Sequence, residues 1–237
     1  MNKLFDNNIS LERETHTYKL KSNPDLQFIS VTTFVSQFFE KFEAEKIASR
    51  LAGTLKYQNM TKDDILKQWE DSANHGTKVH EEIENYILSN AQVSEAKALQ
   101  GINWLKKYAL KSNFSIYPEV MIYSEELKIS GTVDLLLYDK NSKKYIIMDW
   151  KTSKKIPIKS YKNKMGIHAA ASNIEDSKFN HYALQLSLYR YILETYYNLD
   201  VSEHLIVHLT DDSCAGLHSQ YMKHHIVKML QSYGDQK

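Results

Sequence analysis

Two neighbouring segments, GTVDLLLYD and YIIMDWK, constrain the fold of this chain more than any other part of its sequence. Residues 135–137 and 146–148 are all apolar, so an extended chain carries apolar side chains on both of its faces there. Strands of that kind are usually buried on both faces of a sheet. The polar segment DKNSKK between the two predicts an antiparallel hairpin within the interior of a sheet.

Charged residues interrupt these apolar strands. Asp149 and Lys151 are two residues apart and therefore share one face of their strand, with Ile147, while residues 146, 148 and 150 occupy the other. If the turn centres on residues 141 and 142, Asp134 of the preceding strand lies directly opposite Asp149. Like charges at opposed positions destabilise a sheet unless a cation lies between them.

The paired carboxylates therefore predict a site for a divalent cation. Carboxylate oxygens suit Mg²⁺ or Mn²⁺, and Lys151 is placed to orient a water molecule or to offset charge on a phosphate. An ordinary salt-bridge cluster on a solvated strand is the alternative interpretation. The apolar neighbours favour a site, because a buried charge without a partner is costly.

The rest of the chain predicts alternating helices and strands around this hairpin. Ser30 is a candidate N-cap for a helix over residues 31–51, and Thr61 with Asp64 resembles a capping box. The fold class is α/β or α+β with helices flanking a central sheet. The predicted elements are strands in THTYKL and LQFISV, helices in TKDDILKQW, HGTKVHEEIENYILSN and residues 94–111, about three antiparallel strands from residue 114 onward, a helix in HYALQLSLYRYILETYY, a strand in EHLIVHLT and a closing helix in QYMKHHIVKMLQSY.

Composition restricts the classes of protein to which the chain can belong. Its 237 residues, 42% of them hydrophobic, fit one domain, and no apolar run approaches the length of a membrane span or a signal peptide. The single cysteine, Cys214, excludes a disulfide framework and a four-thiolate metal or iron–sulfur site, and predicts a reducing, intracellular setting. The net charge of +1 means that any nucleic-acid surface must be local.

Three motifs together resemble those of the PD-(D/E)XK nuclease superfamily, in its RecB-like branch. GTVD followed by DWK is similar to the D…(D/E)-x-K core, HGTKVHEEIE to the G-T-x-x-H helix, and QLSLY to the Q-x-x-x-Y helix. Val133 stands where the superfamily name has proline. The layout is also similar to that of viral and phage exonucleases of this type, and the resemblance implies one restriction-endonuclease-like domain over residues 1–237. It would comprise a helical portion at 30–111, a catalytic mixed-sheet core at 114–210 flanked by helices, and a C-terminal helix at 218–232.

The resemblance also assigns metal ligands. It implies that His80 joins Asp134 and Asp149 around Mg²⁺ or Mn²⁺, and that Glu119 binds metal through water or a second ion. Taken alone, His80 is more typical of a structural histidine at the edge of a core. A surface position is the other interpretation of Glu119.

The Q-x-x-x-Y motif adds two residues to the catalytic set of Asp134, Asp149 and Lys151. The resemblance implies that Gln185 supports the lysine or the substrate and that Tyr189 braces it. The two residues are four apart on a helix and so share a face. The other interpretation is a polar pair at the rim of the core.

A basic segment follows the hairpin and predicts contact with a polyphosphate strand. Residues 140–164 contain nine lysines and one acid, although such runs are often simply solvated. The long loop over residues 156–180 is expected to line or cover a nucleic-acid channel, and Trp150 and Tyr161 to stack on bases. The candidate nucleic-acid contacts are Thr77, Trp150, Thr152, Lys154, Lys155, Lys159, Tyr161, Lys162 and Lys164.

These observations predict a metal-dependent nuclease. The resemblance implies that it hydrolyses DNA, as an exonuclease on single strands or duplex ends in replication, recombination or repair. One alternative is a non-catalytic nucleic-acid-binding module on the same fold, although such a module has no reason to retain Asp, Asp and Lys. The other is a manganese-dependent RNA endonuclease of the cap-snatching type, which would lack the Q-x-x-x-Y helix. His204, His208 and Cys214 do not complete a zinc site, because a fourth ligand at suitable spacing is missing.

Overall fold

The computed structural model describes residues 3–5, 7–13, 15–109 and 113–234. It is a mixed α/β structure in which helices flank a mixed sheet. The strands are β1 (Ile9–Glu12), β2 (Thr17–Leu20), β3 (Ile29–Ser30), β4 (Phe114–Ser124), β5 (Ile129–Asp139), β6 (Lys144–Lys151), β7 (Val201–Leu209) and β8 (Cys214–His218). The helices are α1 (Val31–Ser36), α2 (Ala44–Ala52), α3 (Lys62–Ser89), α4 (Ala96–Ala109), α5 (Lys178–Tyr196) and α6 (Lys223–Gly234).

The central sheet has six strands, and its pairing leaves an opening beside β5. β4 runs antiparallel along one edge of β5, whereas the other edge is shared. β3 pairs in parallel with the first two residues of β5, and β6 pairs antiparallel with residues 135–139. Residues 131–134 lie between these two ladders, and β7 and β8 continue the sheet beyond β6.

The prediction that the hairpin strands are buried on both faces is confirmed. Leu136 and Ile147 lie in a cluster that includes residues of α1, α5 and α6, on one face of the sheet. Leu135 and Met148 lie in a second cluster with residues of α3 and α4, on the other face. Each of these four side chains is fully buried, so the hairpin forms the middle layer between two helical layers.

Several predicted helices have different bounds in the structure. The helix expected over residues 31–51 is two helices, although Ser30 does cap the first, where its Oγ accepts a hydrogen bond from Thr33 N at 3.1 Å. The backbone carbonyl of Phe38 accepts from Ile167 N instead of continuing α1. The helices expected in TKDDILKQW and HGTKVHEEIENYILSN are one helix, α3, which begins with the predicted capping box.

Two strands were not predicted, and the ends of two other helices differ. β1 and β8 are absent from the predicted elements, and because β8 occupies residues 214–218 the last helix begins at Lys223 instead of residue 218. α4 begins at Ala96, and residues 110 and 111 of the predicted helix lie outside the described residues. None of the helices in the described ranges is long and apolar enough to cross a membrane.

His204 of β7 makes the stability of the fold sensitive to acid. Its ring is 1% exposed and Nδ1 lies 2.7 Å from Ser219 Oγ. Burial, aided by the charge of Arg190, lowers the pKa of His204 from 6.5 to about 4. His204 therefore takes up a proton near pH 6.5 in the unfolded chain, but only near pH 4 in the folded chain.

We expect this histidine to cost the folded state about 3 kcal/mol as the pH falls from 6.5 toward 4. Urea unfolding at several pH values measures the effect, with His204→Asn as the comparison, since asparagine has no group that titrates there. The variant should show the flatter profile over this range. Parallel profiles for the two proteins would contradict the assignment.

Candidate metal centre and active site

The candidate site lies at the opening between β3 and β6. The ladder between β5 and β6 ends at Leu135 and Met148, so the next residues of each strand are free to separate. Trp150 N then donates a hydrogen bond to Asp134 Oδ2 at 2.8 Å, which replaces the ladder bond with a side chain. A cavity of about 350 Å³ opens there, lined by both predicted acids, Lys151 and His80.

The predicted register of the hairpin is confirmed. Leu135 pairs with Met148 and Asp139 with Lys144, so one further step along each strand brings Asp134 opposite Asp149. The turn is thus centred where the sequence placed it, on residues 141 and 142. Two carboxylates consequently face one cavity from adjacent strands.

Three residues bring ligand atoms together at this cavity: His80, Glu119 and Asp134. One atom from each lies within 4.8 Å of the other two, and His80 Nδ1 lies 3.5 Å from Asp134 Oδ2. α3 holds the imidazole in place, because Val79 and Ile83 of that helix are buried against the sheet. The group thus contains three of the four predicted ligands, and Asp149 lies outside it.

Glu119 has an unusual backbone at this point. It lies in β4 between Pro118, which pairs with Leu135, and Val120, which pairs with Val133, so it stands opposite Asp134. Its φ of 48° is in the left-handed region, which is strained for a residue with a Cβ and is often found at functional sites. Burial, followed by the charges of Asp134 and Glu84, raises the pKa of Glu119 to about 8. A cation there would relieve this repulsion.

Asp149 lies deeper and forms a second group with Lys151 and Gln185. Its Oδ1 accepts a hydrogen bond from Gln185 Nε2 at 2.9 Å, and its Oδ2 contacts Lys151 Nζ. Burial raises the pKa of Asp149 to about 6, against the opposing effect of the Lys151 charge. The Oδ2 atom is buried, and the Lys151 ammonium group is its partner.

Lys151 is held in its charged form. Burial lowers the pKa of Lys151, but the charges of Asp149 and Asp134 outweigh it and the net pKa is raised. The ammonium group also lies 4.7 Å from the centre of the Tyr182 ring, a cation–π distance. The lysine therefore presents a positive charge to the cavity.

Gln185 and Tyr189 lie together on α5, at the floor of the same cavity. Gln185 Nε2 reaches Tyr189 Oη at 3.4 Å, so the glutamine holds Asp149 and contacts the tyrosine, where the resemblance implied support of the lysine or substrate. Tyr189 packs on Gly131 so closely that a Cβ there would lie 2.7 Å from the ring. Glycine is therefore required at this position of β5 for the tyrosine to reach the site.

Trp150 corrects one prediction about nucleic-acid contacts. Its ring is 2% exposed and packs edge-on to Trp104 in the cluster beneath α3 and α4, so it cannot stack on a base. The pattern that placed residues 146, 148 and 150 on one face already implied this burial. Tyr161, at 71% exposed, remains accessible.

The other predicted contacts are divided among several places. Thr77 lines the cavity, and Thr152, the residue after β6, has its hydroxyl group close to Gly76 of α3. Lys159 pairs with Glu175 and Lys164 with Glu40, which reduces the charge of the segment. Lys154, Lys155 and Lys162 are exposed.

The loop over residues 156–180 does not line this cavity among the described residues. Ala171 and Ile174 are buried in the core, and Gly166 packs so closely on Ala171 that a Cβ would lie 2.4 Å from its carbonyl oxygen. The loop is therefore anchored to the body of the protein. Its residues 164 and 176–178 line a separate groove beside α2.

Arg13 and Glu84 were not predicted, although both line the cavity. Arg13 belongs to the turn between β1 and β2, and its guanidinium lies 2.8 Å from Glu81 and 3.8 Å from Glu84 on α3. The hairpin thus closes one side of the cavity. No local pattern identifies Arg13, because its place depends on how the hairpin packs against β4.

His204 and His208 do not join Cys214 in a zinc site. His204 contacts Ser219, and His208 Nε2 lies 2.6 Å from the backbone oxygen of Ser153. Cys214 instead packs against the apolar cluster beneath α3 and α4. The prediction that these histidines are structural or surface residues agrees with these contacts.

Comparisons with known proteins include one solved structure with a printed description. No protein-family model and no curated protein matches the chain. Among solved structures, one described as "Crystal structure of SSO0001" aligns over 89% of this chain and 76% of its own, with 15% sequence identity and a TM-score of 0.40.

Proposed function

We propose that the protein is a metal-dependent nuclease of the PD-(D/E)XK superfamily, with a restriction-endonuclease-like fold and the motifs of the RecB-like branch. The observation that carries the proposal is the convergence of His80, Glu119 and Asp134 beside a buried Asp149–Lys151 pair. Imidazole and carboxylate ligands fit Mn²⁺, and the carboxylates also fit Mg²⁺. When bound, such an ion polarises a phosphate and lowers the pKa of a water molecule.

The residues of the chain divide the remaining work. Lys151 supplies a fixed positive charge for the negative charge that develops on the phosphate, and it is placed to orient the attacking water. Asp149 holds the lysine, and Gln185 holds Asp149 in turn. Because these three groups are fixed by α5 and β6, little reorganisation is required when a phosphate arrives.

DNA is the proposed substrate, and exonucleolytic cleavage the proposed mode. The resemblance favours DNA, and Gln185 and Tyr189 at the cavity distinguish the site from the cap-snatching type of RNA endonuclease. The cavity is also bounded by the β1–β2 hairpin on one side, and a bounded cavity suits the end of a strand.

An assay of labelled nucleic acids tests this function. We expect cleavage of linear DNA with Mn²⁺ or Mg²⁺, none with EDTA, and none of covalently closed circles. Cutting of circles would indicate an endonuclease, and preference for RNA would favour the alternative substrate. Binding without any cleavage in either metal would contradict the proposal and favour a non-catalytic module.

A further inference from the structure

A second groove lies next to the candidate site, and its charge has the opposite sign. It has a volume of about 470 Å³ and lies between the segment after α1, helix α2 and the start of α5. We call it the α2–α5 groove. Its charged lining residues, apart from a histidine, are five basic ones, Lys41, Lys46, Arg50, Lys164 and Lys178, and three acidic ones, Glu40, Glu43 and Asp176.

The site cavity shows the reverse balance. Apart from two histidines, its charged lining residues are the five acids Glu81, Glu84, Glu119, Asp134 and Asp149 and the two bases Arg13 and Lys151. An acidic cavity attracts cations, whereas a basic groove attracts phosphates. The two adjoin at Tyr182, whose ring lines the groove while its face contacts Lys151 Nζ.

Part of the positive charge in the groove is free to bind a ligand. Lys46 pairs with Glu43 and Lys164 with Glu40. Within the described part of the chain Lys41, Arg50 and Lys178 form no ion pair. Lys178 is also the first residue of α5, where the helix dipole adds positive potential.

An exposed aromatic side chain stands in the same groove. Phe42 is 64% exposed, and its ring lies 5.4 Å from that of Trp69 on α3. Bases of nucleic acid stack on such rings, and a base presents a free face only where its strand is unpaired.

We propose that the α2–α5 groove binds the backbone of a single nucleic-acid strand next to the phosphate that occupies the candidate site, with Phe42 stacking on a base. The inference rests on the proposed function for the identity of its ligand. The strand would then lie on the side of Lys151 that faces the α2–α5 groove. Of the lysines in residues 140–164, Lys164 is the one that lines this groove.

Binding of a labelled oligothymidylate in EDTA tests the groove separately from cleavage. We expect Lys41→Glu combined with Lys178→Glu to weaken binding at least tenfold near 0.1 M salt. The negative slope of log K against log salt should become shallower by about 1.4, because two phosphate contacts are lost. Both residues are exposed, so the fold should be unaffected. Phe42→Ala should weaken binding roughly fivefold and leave the salt slope unchanged.

A matched charge reversal serves as the control. Lys107→Glu combined with Lys140→Glu changes two exposed lysines, one in α4 and one directly after β5, and neither lines the groove or the site cavity. Equal losses in the two double variants, or no loss in the groove variant, would overturn the proposal. Failure of the wild type to bind the oligothymidylate would also overturn it. So would displacement of the strand by polyglutamate of equal charge together with unchanged binding by Phe42→Ala.

The cleavage assay keeps the two proposals separate. If the wild type binds but does not cleave, and the groove variants bind weakly, the groove proposal holds and the nuclease proposal fails. If the wild type cleaves and the groove variants bind normally, the nuclease proposal holds and the groove proposal fails.

Discussion

Lys151→Met is expected to reduce metal-dependent cleavage by about a hundredfold to a thousandfold while the protein remains folded. Among the described residues the Lys151 ammonium group is the one positive charge in an ion pair with Asp149. Under the proposed function its loss would remove a fixed electrostatic contact to the phosphate, and methionine has a similar volume. Cleavage rates in Mn²⁺ at saturating substrate measure the effect.

The fold should tolerate this change because Asp149 can take up a proton. The charge of Lys151 lowers the pKa of Asp149, which burial nevertheless raises to about 6. Without the lysine that pKa rises further, so near pH 7 the buried carboxyl group becomes neutral instead of remaining an unpaired charge. Circular dichroism and thermal unfolding would verify that the variant is folded.

Lys228→Met is the matched control. Lys228 is an exposed residue of α6 that lines neither the cavity nor the α2–α5 groove, so the same substitution removes an equal charge away from both. Its cleavage rate should stay within about twofold of the wild type, as expected of a surface change. If both variants lost activity equally, or if Lys151→Met stayed active, the role given to Lys151 would be wrong.

The pairing of Asp134 with Asp149 could be predicted because it depends on local information. The apolar residues on either side indicate two strands, and the polar turn sets their register. The residue numbers alone therefore place Asp134 opposite Asp149. The same pattern correctly separated Ile147 from Met148, which lie in opposite clusters. The prediction that Trp150 stacks on a base came from its place in the basic segment, and it was wrong because the alternation turns this ring to the buried face.

The backbone at Glu119 and the helix bounds depended on contacts between distant parts of the chain. Glu119 was expected to bind metal through water or a second ion, but no residue pattern indicates the left-handed backbone that it adopts in β4. The helix expected over residues 31–51 ends early because Phe38 and Phe39 are buried and the carbonyl of Phe38 bonds to Ile167, far along the chain. Helical propensity in that segment is overridden by this tertiary contact.

Asp134→Asn should separate metal binding from stability, with opposite effects on the two. Asparagine Oδ1 can still accept the hydrogen bond from Trp150 N, so the strand geometry is retained. The negative charge is lost, however, and the repulsion that helps to raise the pKa of Glu119 is lost with it. In EDTA we therefore expect a higher melting temperature than that of the wild type, by about 2–4 °C for each 1 kcal/mol gained.

In Mn²⁺ the order should reverse. A ligand that binds only the folded state stabilises it by RT ln(1 + [L]/Kd), about 2.7 kcal/mol at a hundredfold excess over Kd. The wild type should gain that stabilisation, and Asp134→Asn should gain almost none and lose cleavage about a thousandfold. Glu81→Gln, an acid of the same cavity outside the three-residue ligand group, should keep the Mn²⁺ shift. Equal shifts in all three proteins would mean that Asp134 holds no metal. Asp134 and Glu81 both line the cavity, and only Asp134 is expected to bind the ion directly.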